Sequence, residues 1–355
     1  MIKHNAILEV NLKNLAFNYK KLSKIANQSI CAATIKADAY GIGVIKTFET
    51  LYKNKCRHFF VATTEEALEI RKKKLLANVY VLNGLESNEL SIFNNNNIIP
   101  IINDKDEYNF VIKKIKQYKK LKFGIHIDTG LNRLGLDIND LLKINSYHNK
   151  IHILLSHLSS ADEGKNNYNI LQNNKFKSAI NLKINAKYNS LSNSMGIILG
   201  NNFHHDLVRP GISLYGGHFN TKMKQIIKPV ICLKGKILQI KEIRKNEFVG
   251  YNQTYKTHKK LKVAIVGIGY ADGISRVLSN KGNAYFKNKT FKIIGRISMD
   301  SITVDISKND KLIKVGDYME IINHSNGIDK IANQCNTICD EILTSISKRV
   351  KRVYI

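Results

Sequence analysis

The chain has 355 residues, of which 43% are hydrophobic and 24% charged, so it is long enough for two domains and typical of a globular protein. No apolar stretch approaches the roughly 20 residues that a membrane-spanning helix needs, and residues 1–5 lead into an amphipathic segment without a signal-peptide core. The formal net charge of +28 comes from lysines spread along the whole sequence, not from basic clusters interleaved with aromatic residues, which disfavours nucleic acid as a partner.

The cysteines and histidines disfavour a metal centre. The five cysteines are scattered, odd in number and without paired CxxC units, which indicates a reducing, cytoplasmic setting. His204 and His205 are adjacent, so their side chains would diverge on a strand, and no acidic cluster lies near them in the sequence. We therefore expect no metal site.

The first 228 residues alternate short apolar runs with longer charged segments of helical spacing. About eight such units in roughly 220 residues predict an N-terminal (β/α)8 barrel of the TIM type over residues 1–228, in preference to an open doubly wound sheet. The first strand, 6–12, is also a candidate to pack with a second domain. The candidate strands are 6–12, 30–35, 59–62, 79–82, 98–102, 123–127, 151–155, 187–191 and 207–208.

The pattern changes near Pro229, after which short strands alternate with turns. This predicts a C-terminal, mainly antiparallel β domain over residues 229–355. Only 328–346 has a helical pattern within it. The candidate strands are 231–243, 263–268, 291–294, 301–306 and 318–322.

Lys36 ends the buried strand 30–35 and is followed by a tight Tyr40-Gly41 turn. An ammonium group at the end of a buried strand is unusual, because desolvation disfavours its charge and lowers its pKa. The neutral amine is the form of lysine that makes a Schiff base. From this stretch alone, a lysine whose head group simply reaches solvent is an equally good interpretation.

Further polar residues follow other strands of the predicted barrel, where the functional residues of such barrels lie. Late barrel loops commonly bind a phosphate through backbone N–H groups and hydroxyls. One rim would thus hold an amine, a phosphate site, two arginines and a histidine, a set that suits pyridoxal phosphate. The residues at these positions are Tyr40, Arg133, His157, Ser194, Arg209 and Gly211.

Taken together, these motifs resemble the alanine racemase family, and the resemblance covers nearly the whole chain. It implies a pyridoxal-phosphate enzyme made of a barrel and a β domain. The motifs that carry it are 35–41 (IKADAYG), 128–135 (DTGLNRLG), 193–194 (NS), 208–216 (VRPGISLYG), 269–273 (GYADG) and 295–300 (GRISMD).

The resemblance implies two catalytic residues. Lys36 would hold the cofactor as an aldimine and act as the base on one face of the substrate. Tyr251 would serve the opposite face and would come from the partner subunit, which implies a homodimer with shared active sites. Racemisation removes a proton from one face of the α-carbon and returns it on the other, so two bases are needed.

The resemblance also implies the binding residues. Arg209 would face the pyridine nitrogen and, because an arginine keeps its proton, would leave that nitrogen unprotonated and limit side reactions. Cations such as His157 and Arg209 would favour the phenolate of the tyrosine base. The implied cofactor contacts are Lys36, Tyr40, His157, Ser194, Arg209, Gly211 and Ile212. The implied substrate contacts are Arg133, Tyr270 and Met299.

Four positions depart from the family pattern. Ile42 and Ser190 each stand where relatives often have a histidine, and the other two bear on the arginine and the phosphate. His126 stands where a lysine often becomes carbamylated and steadies the arginine, so what orients Arg133 is an open question. Lys348 stands where some relatives have a phosphate-binding tyrosine, and a lysine could approach the phosphate as a point charge.

The expected activity is interconversion of L-alanine and D-alanine, which supplies D-alanine for peptidoglycan. A related racemase of serine, or one of broad specificity, is the alternative.

A barrel decarboxylase is a weaker hypothesis, because relatives of that kind place a carboxylate at the ring nitrogen, where this chain has Arg209. Outside catalysis, a cofactor carrier without a second domain does not account for the β domain with Tyr251. A basic nucleic-acid-binding protein is the remaining alternative, disfavoured by the spread of the lysines. By itself, Tyr251 or Tyr270 would more often be an ordinary strand tyrosine.

Overall fold

The computed structural model describes residues 4–142, 150–182 and 184–355. Strand β1 (Ala6–Val10) comes first, and helix α1 (Leu12–Ile25) follows it. The side chain of Asn11 accepts a hydrogen bond from the Asn14 N–H at 2.8 Å and so caps α1. Although β1 precedes the barrel in sequence, it lies in the sheet of the second domain.

The first domain is a parallel barrel. Seven strands, β3 to β9, form one parallel sheet, and β10 pairs in parallel with β2, which β3 continues after Ala32. Backbone hydrogen bonds from Asp206 to Asn189 (3.0 Å) and from Arg209 to Ser192 (2.9 Å) join β10 to β9 and close the ring. The strands are β2 (Ile30–Cys31), β3 (Ala33–Thr34), β4 (His58–Val61), β5 (Asn78–Val81), β6 (Ile98–Ile102), β7 (Phe123–His126), β8 (Ile151–Leu155), β9 (Tyr188–Ser190) and β10 (Leu207–Val208).

These strands are apolar because both of their faces are covered. Every residue of β4, β6, β7 and β8 is buried, as expected for parallel strands with side chains inside the barrel and helices outside. Helix α4 begins with a capping box formed by Thr63 and Glu66. The helices of this domain are α2 (Lys36–Tyr40), α3 (Val44–Lys53), α4 (Thr64–Arg71), α5 (Leu90–Asn96), α6 (Lys105–Lys114), α7 (Ile138–Leu141), α8 (Tyr168–Asn181) and α9 (Thr221–Ile226).

The barrel interior also contains a polar chain. The Tyr80 hydroxyl lies 2.8 Å from Nδ1 of His58 and 3.1 Å from Nδ1 of His152. Burial lowers the pKa of both histidines to about 4, so both imidazoles are neutral at pH 7.

The second domain is built on one long strand, β11 (Ile231–Ile243). Its first half pairs with β1 and β18, its second half pairs with β14, and its side chains alternate between buried and half-buried over Ile231–Ile237. The sheet order is β14-β17-β16-β15-β18-β11-β1-β19, and the β11–β14 pairing closes it. The remaining elements are β12 (Phe248–Val249), β13 (Tyr255–Lys256), β14 (Leu261–Val266), β15 (Asn283–Phe286), β16 (Lys289–Ile294), β17 (Ile302–Asp305), β18 (Tyr318–Ile322), α10 (Ile328–Cys335), α11 (Cys339–Thr344) and β19 (Lys351–Tyr354).

The architecture expected from the sequence, a (β/α)8 barrel followed by a mainly antiparallel β domain, is confirmed. The segment 328–346 contains two short helices, α10 and α11, and not one. Among the residues that the structure describes, no helix has the length and apolar character needed to cross a membrane.

Candidate active site

Lys36 begins a turn of unusual backbone conformation at the mouth of the barrel. The four residues after it, Ala37 to Tyr40, all have positive φ, between 53° and 56°, so this turn of α2 is left-handed. Each non-glycine residue in that conformation costs roughly 1–2 kcal/mol, so the turn forms only because its surroundings hold it. The sequence predicted a tight turn here but not its handedness.

Contacts from both domains hold this turn. Glu66 accepts a hydrogen bond from the Ala37 N–H at 2.5 Å, and Asp38 accepts one from the Val44 N–H at 2.7 Å. From β19, the Arg352 guanidinium donates to the carbonyl of Gly41 at 2.8 and 3.1 Å. The backbone on which Lys36 and the residues after it stand is therefore fixed from several sides.

The Lys36 amine is half-buried, and its burial lowers the pKa of the ammonium from its ordinary value. The cation of Arg133 lowers that pKa further, whereas the carboxylates of Asp340 and Glu66 raise it. Burial is the largest of these effects, so the uncharged, nucleophilic amine is more accessible here than in a solvent-exposed lysine.

A group of uncharged hydrogen-bonding groups lies at one side of the cavity, and we call it the cradle: Tyr40, Ser194, Gly211 and Ile212. The Ser194 hydroxyl accepts a hydrogen bond from the Gly211 N–H at 2.9 Å, which ties its two loops together. A Cβ on Gly211 would collide with the Tyr40 hydroxyl, so a side chain at this position would displace Tyr40. Among the described residues, nothing accepts a hydrogen bond from the Ile212 N–H.

Arg209 lines the cavity and is buried. Its guanidinium donates to the hydroxyl of Ser190 and to the carbonyls of Ser156 (2.5 Å) and Leu191 (3.5 Å). Burial lowers the pKa of Arg209 to about 9, which still leaves it a cation at pH 7. Ser190, at the end of β9, thus orients the arginine.

Arg133 lies on the loop that follows β7. Hydrogen bonds join the far end of this loop to His126 and to Asn103. The Leu136 N–H donates to the carbonyl of His126 at 2.8 Å, and the Gly135 N–H donates to the carbonyl of Asn103 at 3.2 Å. These bonds close the loop that carries Arg133, so its backbone is oriented without any modified lysine.

His126 itself is a neutral acceptor. The Asn103 amide donates to the carbonyls of Leu82 (3.0 Å) and Ile101 (2.9 Å), so its oxygen faces Nδ1 of His126 at 2.9 Å, and Nδ1 must carry the proton. Burial, together with Arg209 and Arg133, lowers the pKa of His126 to about 4. Its Nε2 is therefore left as a lone-pair acceptor.

His157 also lines the cavity, but its charge differs from the expectation. Burial lowers the pKa of His157 well below its ordinary value, and the neighbouring cations Arg209 and Arg133 lower it further. A histidine between arginines is neutral at pH 7, so the prediction that a His157 cation favours a phenolate is corrected. Arg209 remains as the cation for that role.

The cavity has a volume of about 700 Å³. It brings together every barrel residue that the sequence singled out for the site: Lys36, Tyr40, Arg133, His157, Ser194, Arg209, Gly211 and Ile212. Asp340 and Thr344 of α11 also line it, and sequence reasoning missed both. Lys348, by contrast, is exposed and is not among the residues that line the cavity, so its approach to a phosphate stays a prediction.

Tyr251, Tyr270 and Met299 do not line the cavity of their own chain. They are exposed to 65%, 43% and 52%, respectively. The Ala271 N–H donates to the carbonyl of Met299 at 3.0 Å, and a Cβ on Gly250 would lie 2.9 Å from the Arg296 nitrogen. The loops of these three residues are therefore neighbours at one end of the second domain.

Known proteins share both domains. The family model for the alanine racemase N-terminal domain matches residues 10–218, and the model for the alanine racemase C-terminal domain matches residues 230–354.

Similar proteins cover the whole chain. The alanine racemase of Rickettsia akari (strain Hartford) is 35% identical over 356 residues, which are 98% of this chain and 98% of that protein. The alanine racemase of Brucella suis (strain ATCC 23445 / NCTC 10510) is 36% identical over 370 residues, 98% of this chain and 93% of that protein. The crystal structure of alanine racemase from Bartonella henselae with covalently bound pyridoxal phosphate is 36% identical, with a TM-score of 0.93 over 99% of this chain and 100% of that one. With both domains matched and relatives aligned from end to end, this chain belongs to the alanine racemase family.

Proposed function

We propose that this protein is a pyridoxal-phosphate-dependent alanine racemase that interconverts L-alanine and D-alanine in the cytoplasm and supplies D-alanine for peptidoglycan. The observation that carries the proposal is a single cavity that holds the half-buried Lys36 amine, the cradle and the Arg209 cation. Membership of the alanine racemase family supports the same activity.

The residues of the cavity fit the cofactor. The unpaired N–H of Ile212 and the hydroxyls of Tyr40 and Ser194 are the uncharged donors that bind a phosphate group. Because Gly211 has no side chain to collide with Tyr40, the backbone here could come close to the phosphate group. Lys36 would hold the aldehyde carbon, and the buried Arg209 would lie at the ring nitrogen.

Pyridoxal phosphate, when bound, withdraws electrons from the amino acid and so weakens its α-carbon–hydrogen bond. The chain's own residues move the proton. Lys36, whose pKa is lowered by burial, would accept or return it on one face. Arg209 would keep its own proton and donate to the ring nitrogen, which would limit electron withdrawal by the ring and favour return of the proton over other reactions.

The proton on the opposite face needs a second base, and we assign it to Tyr251 of a second copy of the chain. Tyr251 does not line the cavity of its own chain and is 65% exposed, so it is free to enter another site. Tyr270 and Met299, exposed beside it, would contact the substrate in that same site, together with Arg133. The active protein would therefore be a homodimer with two shared sites.

One experiment tests the reaction. Purified protein with added pyridoxal phosphate should show the absorbance of a lysine-bound cofactor and should form D-alanine from L-alanine. A panel that includes L-serine separates alanine specificity from the broader alternative, since an apolar pocket rejects an added hydroxyl only weakly. Failure to bind the cofactor with Lys36 intact would overturn the proposal.

A second experiment tests the shared site. Lys36→Ala and Tyr251→Phe are each expected to be nearly inactive, but a random mixture of the two should recover about one quarter of wild-type activity. Half of the dimers would be mixed, and one of the two sites in each mixed dimer would carry both intact bases. No recovery after dissociation and reassociation would show that both bases come from one chain.

The two bases should also be separable by isotope exchange. In Tyr251→Phe, exchange of the α-hydrogen from the Lys36 face should survive in part, while exchange from the other face is lost. Equal loss for both enantiomers would contradict the two-base assignment.

A further inference from the structure

Helix α11 of the second domain lies across the cradle. It begins beside the loop that carries Ile212, since a Cβ on Gly217 would lie 3.3 Å from the Cβ of Cys339. It ends against the Lys36 turn, where a Cβ on Gly41 would lie 2.7 Å from the carbonyl oxygen of Leu343. The helix therefore spans the two halves of the cradle.

Asp340, in the first turn of α11, lines the same cavity as the cradle residues Tyr40, Ser194 and Gly211. The donors of the cradle are uncharged, so they supply no charge to offset a carboxylate next to a bound phosphate. Two anions in one partly buried cavity repel each other much more strongly than they do in water.

The groups that face Asp340 come from three elements. The Lys36 ammonium, from the α2 turn, stabilises the carboxylate, whereas Asp329 of α10 opposes it. Burial raises the pKa of Tyr40 and of the neighbouring Cys339 thiol, so both stay uncharged near pH 7. Asp329 accepts a hydrogen bond from the His218 backbone N–H at 2.8 Å, and burial lowers the pKa of the His218 imidazole, so that ring adds no charge at pH 7. The Asp340 backbone N–H, which hydrogen-bonds its carboxylate, and then the Lys36 ammonium are thus the groups that favour the ionised form.

We infer that Asp340 couples binding of the cofactor's phosphate to the uptake of one proton from solvent. In the free protein the carboxylate is ionised opposite the Lys36 ammonium. Cofactor binding takes the Lys36 nitrogen into a bond beside the cofactor's phenolate oxygen, which offsets its charge, and places a phosphate dianion in the cradle. Asp340 therefore keeps less of its counter-charge and gains an anionic neighbour. The proton goes to a carboxylate oxygen, and the resulting O–H can donate to the phosphate. This inference rests on the proposed function.

Burial already favours the protonated form, because it raises the pKa of Asp340 above its ordinary value in the free chain. A further rise in the pKa of Asp340 on cofactor binding follows from the change in charge at Lys36 and from the phosphate in the cradle. Asp340 would then be a cofactor-affinity residue that no local motif identifies.

The test compares two ligands and three proteins. Dissociation constants of pyridoxal phosphate and of pyridoxal, which lacks the phosphate, are measured between pH 6.5 and 8.5 for wild type, Asp340→Asn and Glu341→Gln. Both ligands form the same bond with Lys36, so the ratio of their dissociation constants isolates the phosphate. Glu341 is the exposed next residue of α11 and serves as the matched control for loss of one negative charge.

In wild type and Glu341→Gln, the advantage of pyridoxal phosphate over pyridoxal should fall about tenfold for each pH unit. In Asp340→Asn that advantage should stay constant. A pH dependence in Asp340→Asn equal to that of wild type would overturn the inference while leaving the proposed function intact. A loss of the pH dependence in Glu341→Gln as well would also overturn it, since the effect would then be one of overall charge.

A measurement on wild type alone guards against misfolding of the variants. With a pH indicator in weak buffer near pH 7.5, pyridoxal phosphate should take up about one proton per site more than pyridoxal does. The phosphorus NMR shift should remain that of a dianion, which places the proton on the protein. Equal uptake for both ligands, or a monoanionic phosphate, would contradict the role of Asp340. If neither ligand binds, the proposed function fails and this inference fails with it.

Discussion

At the scale of single residues, the cradle has no space for a side chain at position 211. Gly211 lies between the Tyr40 hydroxyl and the side chain of Thr34, and its N–H is already bonded to Ser194. In the proposed function the backbone of Gly211 would approach the phosphate, which only a residue without a Cβ allows. We therefore expect a single methyl group at this position to act on cofactor binding more than on folding.

We predict that Gly211→Ala weakens binding of pyridoxal phosphate by at least about tenfold, because the added methyl displaces Tyr40 from the cradle. Titration of cofactor absorbance measures the change. Gly164→Ala is the control: the nearest atom to its new Cβ is 3.8 Å away, in Leu199, and binding should be unchanged. An equal effect of both substitutions would show that the cradle is not the cause.

At the scale of elements, the left-handed turn after Lys36 is held by β19 of the other domain. Arg352 donates to the carbonyl of Gly41 and to those of Ile346 (2.8 Å), Ser347 (2.5 Å) and Val350 (2.8 Å). One guanidinium thus ties the turn to the segment between α11 and β19. Its fixed arrangement of N–H donors suits four carbonyls, which a single ammonium cannot reach together.

We predict that Arg352→Lys lowers the free energy of unfolding by about 2–4 kcal/mol, since several carbonyls lose a charged donor. It should also reduce cofactor affinity, because the turn that carries Lys36 loses part of its support. Urea unfolding and cofactor titration measure the two effects. Arg276→Lys, a change at an exposed arginine, should leave both unchanged. Unaltered stability in Arg352→Lys would show that the turn does not depend on this contact.

At the scale of the whole molecule, folding of the barrel keeps histidines uncharged. His58 and His152 flank Tyr80 inside the barrel, and burial lowers the pKa of each to about 4. In the unfolded chain the pKa of a histidine is about 6.5, so the unfolded state binds protons first as pH falls. This contribution to stability is complete above pH 6.5 and is lost between pH 6.5 and 4.

We predict that wild type loses stability steeply from pH 7 to pH 5, with each buried histidine costing up to about 3 kcal/mol by pH 4. His152→Gln should be less stable at pH 7 but should lose less between pH 7 and pH 5. Thermal unfolding at both pH values measures this difference. His258→Gln, at an exposed histidine, should follow wild type. An unchanged pH dependence in His152→Gln would show that its imidazole is not the group that titrates.

The sequence by itself determined the architecture and the barrel half of the site. Strand ends are marked by local patterns, and in a parallel barrel all such ends meet at one rim, so the positions of Lys36, Ser194 and Arg209 follow from the order of the strands. The same local patterns could not predict the left-handed turn, because alanine and tyrosine disfavour that conformation on their own.

Only the tertiary structure placed Asp340 in the cavity and Tyr251 outside it. Both belong to the second domain, and where that domain packs on the barrel depends on contacts between residues hundreds of positions apart, such as Arg352 with Gly41. Periodicity and turn signals describe neighbours along the chain, so they say nothing about which side chain a distant domain brings to the rim. The ionisation states of His157 and Arg209 were decided in the same way, since burial and surrounding charge exist only in the folded protein.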